Sequence, residues 1–285
     1  MSRICKIALA QLTSTTDKQR NFDVVKKLVE KAKNVDPEVK MIFFPECFAF
    51  IGDGKTKGYA EPLDGELFGK YKNLALDNKL WISYGGFPER SSRPEDVENN
   101  RGYNTHIIVN DNGEIVTSYK KLHLFDVDIP EKSVKLLESE HTLPGNSIVT
   151  CESPIGTLGV SICYDVRFPE LYCHMSVNLG AKVLLIPAAF TVPTGQAHWE
   201  VLLRSRAIEN QCFVIAAATY GRHNEKRTTY GHSLVVDPWG EILCDMNQTV
   251  DDIQIVDLNL ERQDIVRRDL PSLKHRRKDI YNIVV

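Results

Sequence analysis

The chain has 285 residues, 42% hydrophobic and 26% charged, with a formal net charge of −3. That balance describes an ordinary globular protein, one large domain or two small ones, and excludes disorder. It offers no attraction to nucleic acid or anionic membranes, and no apolar stretch approaches the roughly 20 residues needed to cross a bilayer.

The opening run from Met1 to Gln11 lacks a long apolar core and a cleavage site, so it reads as a first strand, "KIALAQL", and not as a targeting segment. Residues 21–33 carry Val24, Val25, Leu28, Val29 and Ala32 at helical spacing. "KMIFFPE" is a buried strand, residues 67–78 a helix and "LWISYGGF" a strand. "THIIVNDNGEIVTSYKKLHLF" reads as a hairpin turning at residues 110–113. The second half repeats the theme. "SIVTCESPIGTLGVSICYD" is a hairpin, residues 169–178 a helix with Pro169 in its first turn, and "AKVLLIPAAF" a strand. Residues 197–210 are helical, "CFVIAAATY" is a strand, "GHSLVVDPWGEILCD" a hairpin, and "IQIVDLNL" a late strand before a short polar helix. Several strands are apolar on both faces, which predicts sheets covered on both sides in one α/β domain.

Seven cysteines, Cys5, Cys47, Cys151, Cys163, Cys173, Cys212 and Cys244, make an odd number without a C-x-x-C pair. This argues against a disulfide framework or a zinc ribbon and for a reducing compartment, the cytosol, with a mitochondrial form also compatible. Asn247-Gln248-Thr249 matches a glycosylation sequon; without a secretory signal it is read as chance.

Three strand ends carry chemistry. Glu46 ends "MIFFPE", Lys121 follows "IVTSYKK" and Cys163 ends "GVSIC". Functional groups gather at strand ends in α/β sheets. A thiol nucleophile, a carboxylate base and an ammonium facing a tetrahedral oxyanion suit attack on a carbonyl or nitrile carbon. The Tyr164 amide can add a second oxyanion donor, and a helix N-terminus beyond it would favour a thiolate. Singly each signal is weak. A cysteine after a strand is more often a small core residue, and Lys120-Lys121 alone is a solvated pair. The set raises the odds.

"FFPE", "YKKLHLF" and "GVSICYDVRFPE", in this order, resemble the three motifs of the nitrilase superfamily, the Glu-Lys-Cys carbon–nitrogen hydrolases. The resemblance runs from "ALAQL" to "RRKDIY" and implies one carbon–nitrogen hydrolase domain over residues 1–285, folded as a four-layer α-β-β-α sandwich. It implies Glu46 as general base, Lys121, the lysine directly before "LHLF", as electrostatic stabiliser, and Cys163 as nucleophile. "LLESEHTLPG" is similar to the segment carrying a second glutamate, which maps onto Glu138. "AFTVPTGQAHWEVLLRSRAIENQ" and "GRHNEKRTTYGHSLVVDPWG" are most similar to the Nit branch. That implies a small amide substrate, an α-ketoglutaryl group joined to cysteinylglycine, and a homodimer or larger homo-oligomer. No cofactor or metal is implied, and no H-E-x-x-H spacing is present. Arg167 is a candidate for holding the substrate carboxylate, with Phe190 and Thr194 as pocket wall and polar contact. The alternatives are that Arg167 pairs with Asp165 or Glu170, or that Asp165 caps the helix. At the level of function they are α-ketoglutaramate as substrate, or a catalytically silent interaction protein on the same fold.

Other features carry structural readings. His232-Ser233 lacks a G-x-S-x-G elbow, His123 is a local hydrogen-bonder, Trp199 a core residue, and residues 274–278, "KHRRK", a solvated or interface segment.

Overall fold

The computed structural model describes residues 4–52, 58–132, 134–277 and 279–280. Met1, Ser2 and Arg3, the start of the first-strand reading, lie outside the described residues, as do Lys278 and the closing residues 281–285.

The chain begins with β1 (Ile4–Gln11), α1 (Lys18–Val35), β2 (Met41–Phe44), α2 (Glu66–Asn78) and β3 (Trp81–Arg90). A short helix, α3 (Pro94–Glu98), precedes the hairpin of β4 (Gly102–Val109) and β5 (Ile115–Lys120), and a small ribbon follows, β6 (Asp126–Ile129) with β7 (Val134–Leu137). Next come β8 (Val149–Cys151), β9 (Leu158–Val160), α4 (Pro169–Cys173), β10 (Val183–Leu185) and α5 (Val192–Asn210). The chain closes with β11 (Phe213–Ala216), the ribbon β12 (Tyr220–Arg222) and β13 (Thr228–Tyr230), β14 (Leu234–Val236), β15 (Ile242–Asp245), β16 (Asp252–Asn259) and α6 (Glu261–Asp269).

Two six-stranded sheets result, ordered β16-β1-β2-β3-β4-β5 and β15-β14-β11-β10-β9-β8. Period-two alternation explains how they stack. In β1 and β2, Ala8, Ala10, Ile42 and Phe44 share a core with Val25, Leu28 and Val29 of α1 and Phe68 and Tyr71 of α2. Their neighbours Ile7, Leu9, Met41 and Phe43 join the second core, with Val160, Leu184 and Val214 of the other sheet. That core continues to Trp199, Leu203 and Ala207 of α5. The layers are therefore helix, sheet, sheet, helix. Buried polar groups tie the sheets together. His106 on β4 bonds the Ser161 carbonyl at 2.9 Å through Nδ1 and Ser83 of β3 at 2.7 Å through Nε2. A carbonyl only accepts, so Nδ1 carries the proton. Burial holds this imidazole neutral, its pKa lowered to about 4.

The helix expected over 169–178 is shorter. α4 stops at Cys173, and His174–Asn178 widens into a π-type turn in which the Leu179 amide bonds the His174 carbonyl at 3.2 Å. The widened turn brings the Ser176 hydroxyl within 2.9 Å of Asn210 on α5. α1 starts earlier than the apolar spacing predicts because Asp17 caps it, accepting from the Arg20 amide at 3.0 Å. Arg276 of the basic closing segment turns inward, donating to Cys173 Sγ at 2.9 Å and to the Glu209 carbonyl at 3.1 Å.

Candidate active site

Three turns, beyond the ends of β2 and β5 in one sheet and β9 in the other, bring the predicted residues together. After β2 the chain passes Pro45 to Glu46, and Cys47 takes a left-handed conformation, φ 59°, its amide bonded to the Gly86 carbonyl at 3.1 Å. Gly85 and Gly86 lie where the β3–β4 register shifts. A Cβ on Gly86 would stand 2.8 Å from Asn104 Oδ1 and 3.0 Å from Glu46 Cγ, and one on Gly85 2.2 Å from Pro187 Cβ. Only bare backbone lets both sheets close on the site here. Lys121 directly follows β5, with its amide on the Asn104 carbonyl at 2.9 Å. Beyond β9, Ser161 and Ile162 stay extended until the Cys163 amide meets the Pro187 carbonyl at 2.8 Å. Cys163 then turns left-handed, φ 48°. A residue other than glycine pays about 1–3 kcal/mol for that conformation, and it persists where the surroundings over-determine it.

The side chains converge. Lys121 Nζ lies 3.0 Å from Glu46 Oε1 and 2.9 Å and 3.1 Å from the two oxygens of Glu138. Asn104 Nδ2 donates to Glu46 Oε1 at 2.8 Å, and the Phe125 amide to Glu138 Oε2 at 2.8 Å. Glu46, Lys121 and Cys163 are 3%, 2% and 8% exposed, so their charges act almost without water between them. Burial opposes the Glu46 carboxylate, but Lys121, a hydrogen bond with Cys163 and the charge of Arg227 hold its pKa below the usual range. Burial likewise opposes the Lys121 ammonium, and Glu46 and Glu138 outweigh it, keeping the pKa well above normal. Burial and then Glu46 push the Cys163 thiol well above its ordinary value.

A thiolate favoured by a helix N-terminus is therefore not what the site holds. Cys163–Arg167 is a 3-10 turn, and α4 begins only at Pro169. Burial and the neighbouring carboxylate decide the protonation, leaving the proton on sulfur and the charge on Glu46.

Among the described residues the Tyr164 amide meets no hydrogen-bond acceptor, which leaves it free to donate beside the thiol. Arg167 pairs with neither Asp165 nor Glu170. Its guanidinium nitrogens approach His198 Nδ1 at 3.4 Å, and its centre lies 5.4 Å and 5.7 Å from the rings of Phe190 and Tyr164. Phe190 is 8% exposed and packs on Trp199 with centroids 4.8 Å apart. The Thr194 hydroxyl is engaged locally, with Thr191 Oγ1 at 2.8 Å and the Thr191 carbonyl at 3.2 Å, and not with the three converging side chains. Ser233 is structural, its hydroxyl accepting from the Ala218 amide at 2.8 Å. No group of three or more metal-ligating side chains occurs among the described residues, and no helix there is long and apolar enough to cross a membrane.

Sequence reasoning missed Asn104, Arg227 and the contacts of Asp165. Asn104 had one faint signal, a polar side chain entering the apolar strand "THIIV". Arg227 is exposed on a turn closed by the His223 amide on its carbonyl at 2.9 Å, and only the three-dimensional fold brings its charge toward Glu46.

A carbon-nitrogen hydrolase family model matches residues 6–268. The deaminated glutathione amidase of Dictyostelium discoideum is 46% identical over 289 residues, covering 99% of this chain and 97% of that protein. The human protein of that name is 44% identical over 279 residues, 96% of this chain and 83% of its own. Among solved structures, the Caenorhabditis elegans NitFhit protein superposes with a TM-score of 0.89 at 43% identity, over 98% of this chain and 66% of that one. Saccharomyces cerevisiae Nit3, a member of branch 10 of the nitrilase superfamily, gives 0.83 at 32% identity, over 96% and 97%. The α-β-β-α layering expected of the sequence is the fold of these neighbours, and the chain belongs to the carbon–nitrogen hydrolase family, in the Nit branch of the nitrilase superfamily.

Proposed function

We propose that this hydrolase of non-peptide carbon–nitrogen bonds acts on deaminated glutathione, releasing α-ketoglutarate and cysteinylglycine through a thioester on Cys163. The observation that carries the chemistry is the convergence of the buried groups: Lys121 Nζ lies 3.0 Å from Glu46 Oε1 and 2.9 Å from Glu138, with the buried Cys163 thiol beside the Glu46 carboxylate. Glu46 takes the proton from Cys163 as sulfur attacks the amide carbon. Lys121 and the Tyr164 amide face the developing oxyanion. Glu46 returns the proton to the departing amine, the carbon–nitrogen bond breaks, and the acyl group remains on sulfur. Glu46 then deprotonates a water that attacks the thioester, and the thiol leaves with that proton. Glu138 steadies Lys121.

The substrate reading rests on the relatives named deaminated glutathione amidase and on Arg167, whose guanidinium meets His198 and no carboxylate among the described residues, suited to the keto-acid carboxylate. Phe190 walls that end, and Thr194 reaches the keto acid once its hydroxyl leaves Thr191. The reading includes a single domain over residues 1–285, a homo-oligomer and a cytosolic location.

Denaturing mass spectrometry during slow turnover of deaminated glutathione should find an α-ketoglutaryl adduct on Cys163. Full activity in Cys163→Ala sinks the mechanism. Faster turnover of α-ketoglutaramate or simple nitriles moves the chain to another substrate, and inactivity on every amide favours the silent interaction protein.

A further inference from the structure

Asp165 is 0% exposed and takes no part in the steps above. Its Oδ2 accepts from the Tyr119 hydroxyl at 2.7 Å and from the Ile162 amide at 2.9 Å. Its Oδ1 accepts from the His123 amide at 3.1 Å and meets His123 Nδ1 at 2.8 Å. Two of these partners are backbone amides and one is a hydroxyl whose oxygen already accepts from the Leu122 amide at 3.3 Å. A carboxylate oxygen only accepts, so each of these partners donates, His123 through Nδ1–H, with its ring stacked on Phe168 at a centroid distance of 3.6 Å.

The partners fall on two segments of the site. Ile162 immediately precedes Cys163. Tyr119 and His123 stand two residues on either side of Lys121. One buried carboxylate thus spans the turn that carries the thiol and the segment that carries the ammonium. A helix cap would need only the local contact to Ile162. The contacts to residues 119 and 123 lie 46 and 42 positions away in the chain.

We propose that Asp165 is a positioning residue that fixes the Cys163 thiol relative to the Lys121 ammonium, acting as an acceptor toward both segments without touching substrate. The proposal rests on the reading of Cys163 and Lys121 as the reacting pair. Its failure looks different: that reading falls if Cys163→Ala is active, this one if the pair reacts normally without the Asp165 carboxylate.

The chemistry makes Asp165→Asn a sharp test. The amide matches the carboxylate in size, but its NH2 must face one pair of donors, either Tyr119 with Ile162 or the two from His123. Turned toward Tyr119 and Ile162, it costs each segment a contact; turned toward His123, it loses both His123 contacts and leaves Tyr119 as the one hold on the Lys121 segment. Misplacing reacting groups by about 1 Å can cost ~10²-fold. Single-turnover acylation by deaminated glutathione should therefore slow by ~10²-fold at full amplitude, with KM within about threefold of wild type. A merely structural role lowers the amplitude, because fewer molecules are folded, at an unchanged rate; that result overturns the proposal, as does an unchanged rate at full amplitude. Should Asp165→Asn not fold, Tyr119→Phe removes one donor and should slow acylation several-fold, again at full amplitude, with the same overturning results. In a Lys121→Met background the Asp165→Asn effect on rate should largely vanish, since its target is gone. Full additivity there also overturns the proposal.

Discussion

The reacting groups and the rim around them are built differently. Glu46, Lys121 and Cys163 are almost fully buried, and each is held by backbone or side chains from other strands: Asn104 and Lys121 on Glu46, Glu138 on Lys121, the Pro187 carbonyl on the Cys163 amide. Arg167 rests on one histidine nitrogen at 3.4 Å and on aromatic faces, and Arg227 is exposed. Buried, cross-braced groups set what bond is broken. On the proposed function, the loosely held Arg167 at the edge selects which molecule brings that bond. Changes in the first region should therefore cost rate on every substrate, and changes at Arg167 should cost it only on anionic ones.

The largest effect is expected at Lys121. Lys121→Met removes the ammonium from between the buried Glu46 and half-buried Glu138 carboxylates, and kcat should fall by at least ~10²-fold, the scale of losing one oxyanion donor. Lys120→Met is the control. Lys120 sits over the Tyr103 ring at 3.7 Å and reaches Glu89 at 3.4 Å, away from the reacting groups. Steady-state kinetics of both variants decide the register. A damaging Lys120→Met with a harmless Lys121→Met would reverse it.

Glu138→Gln should come next, with kcat down about tenfold on charged and neutral amides alike. The side chain is not a free surface carboxylate. Its Oε2 accepts from the Phe125 amide at 2.8 Å while both oxygens face Lys121 Nζ. Glutamine keeps one of these contacts and loses the charge that helps hold Lys121 cationic. Unchanged kcat would leave Glu138 a brace for the ribbon of β6 and β7 and nothing more.

Why was the core of the site legible and its bracing not? Each reacting residue sits at the end of a short apolar run with a recognisable local pattern, so a few neighbouring residues suffice to mark it. The layering was legible for a similar reason, since alternation in β1 and β2 divides their side chains between two cores. Asn104, Asp165 and the glycine pair Gly85-Gly86 act across tens of residues, and nothing near them in the chain announces the partner. The thiol's protonation was misjudged because a helix terminus is visible in sequence and burial is not. Short polar elements such as β6, β7, β12 and β13 carry too little periodicity to stand out.

Arg167→Lys tests the rim directly. Lysine keeps the charge but not the planar fork that matches a carboxylate. On deaminated glutathione kcat/KM should fall several-fold, and on an uncharged amide it should barely move. Equal losses on both, or a fall in thermal stability that accounts for the whole change, would return Arg167 to a purely bracing role beside His198 and break the distinction between core and rim.

The smallest expected effect joins the two regions. Glu46 must be ionised to take the thiol proton, and its carboxylate is held low in pKa chiefly against burial, by Lys121, by the bond with Cys163 and by Arg227. Arg227→Gln removes only the last and most exposed of these charges, so Glu46 should become slightly harder to ionise. The sign follows from the role of the base. A raised pKa for the base moves the acid limb of kcat/KM to higher pH, while the plateau above it keeps its height. Because the guanidinium is exposed, solvent and salt screen its field, and the displacement should shrink as ionic strength rises past a Debye length of about 8 Å near 0.15 M. The measurement is a pair of pH–rate profiles for each protein, at low and high salt, on an uncharged amide so that substrate anion binding does not intrude. A limb that moves to lower pH, or one that does not move at low salt, would show that the rim leaves the reacting core untouched, and the separation between the two regions would then be complete.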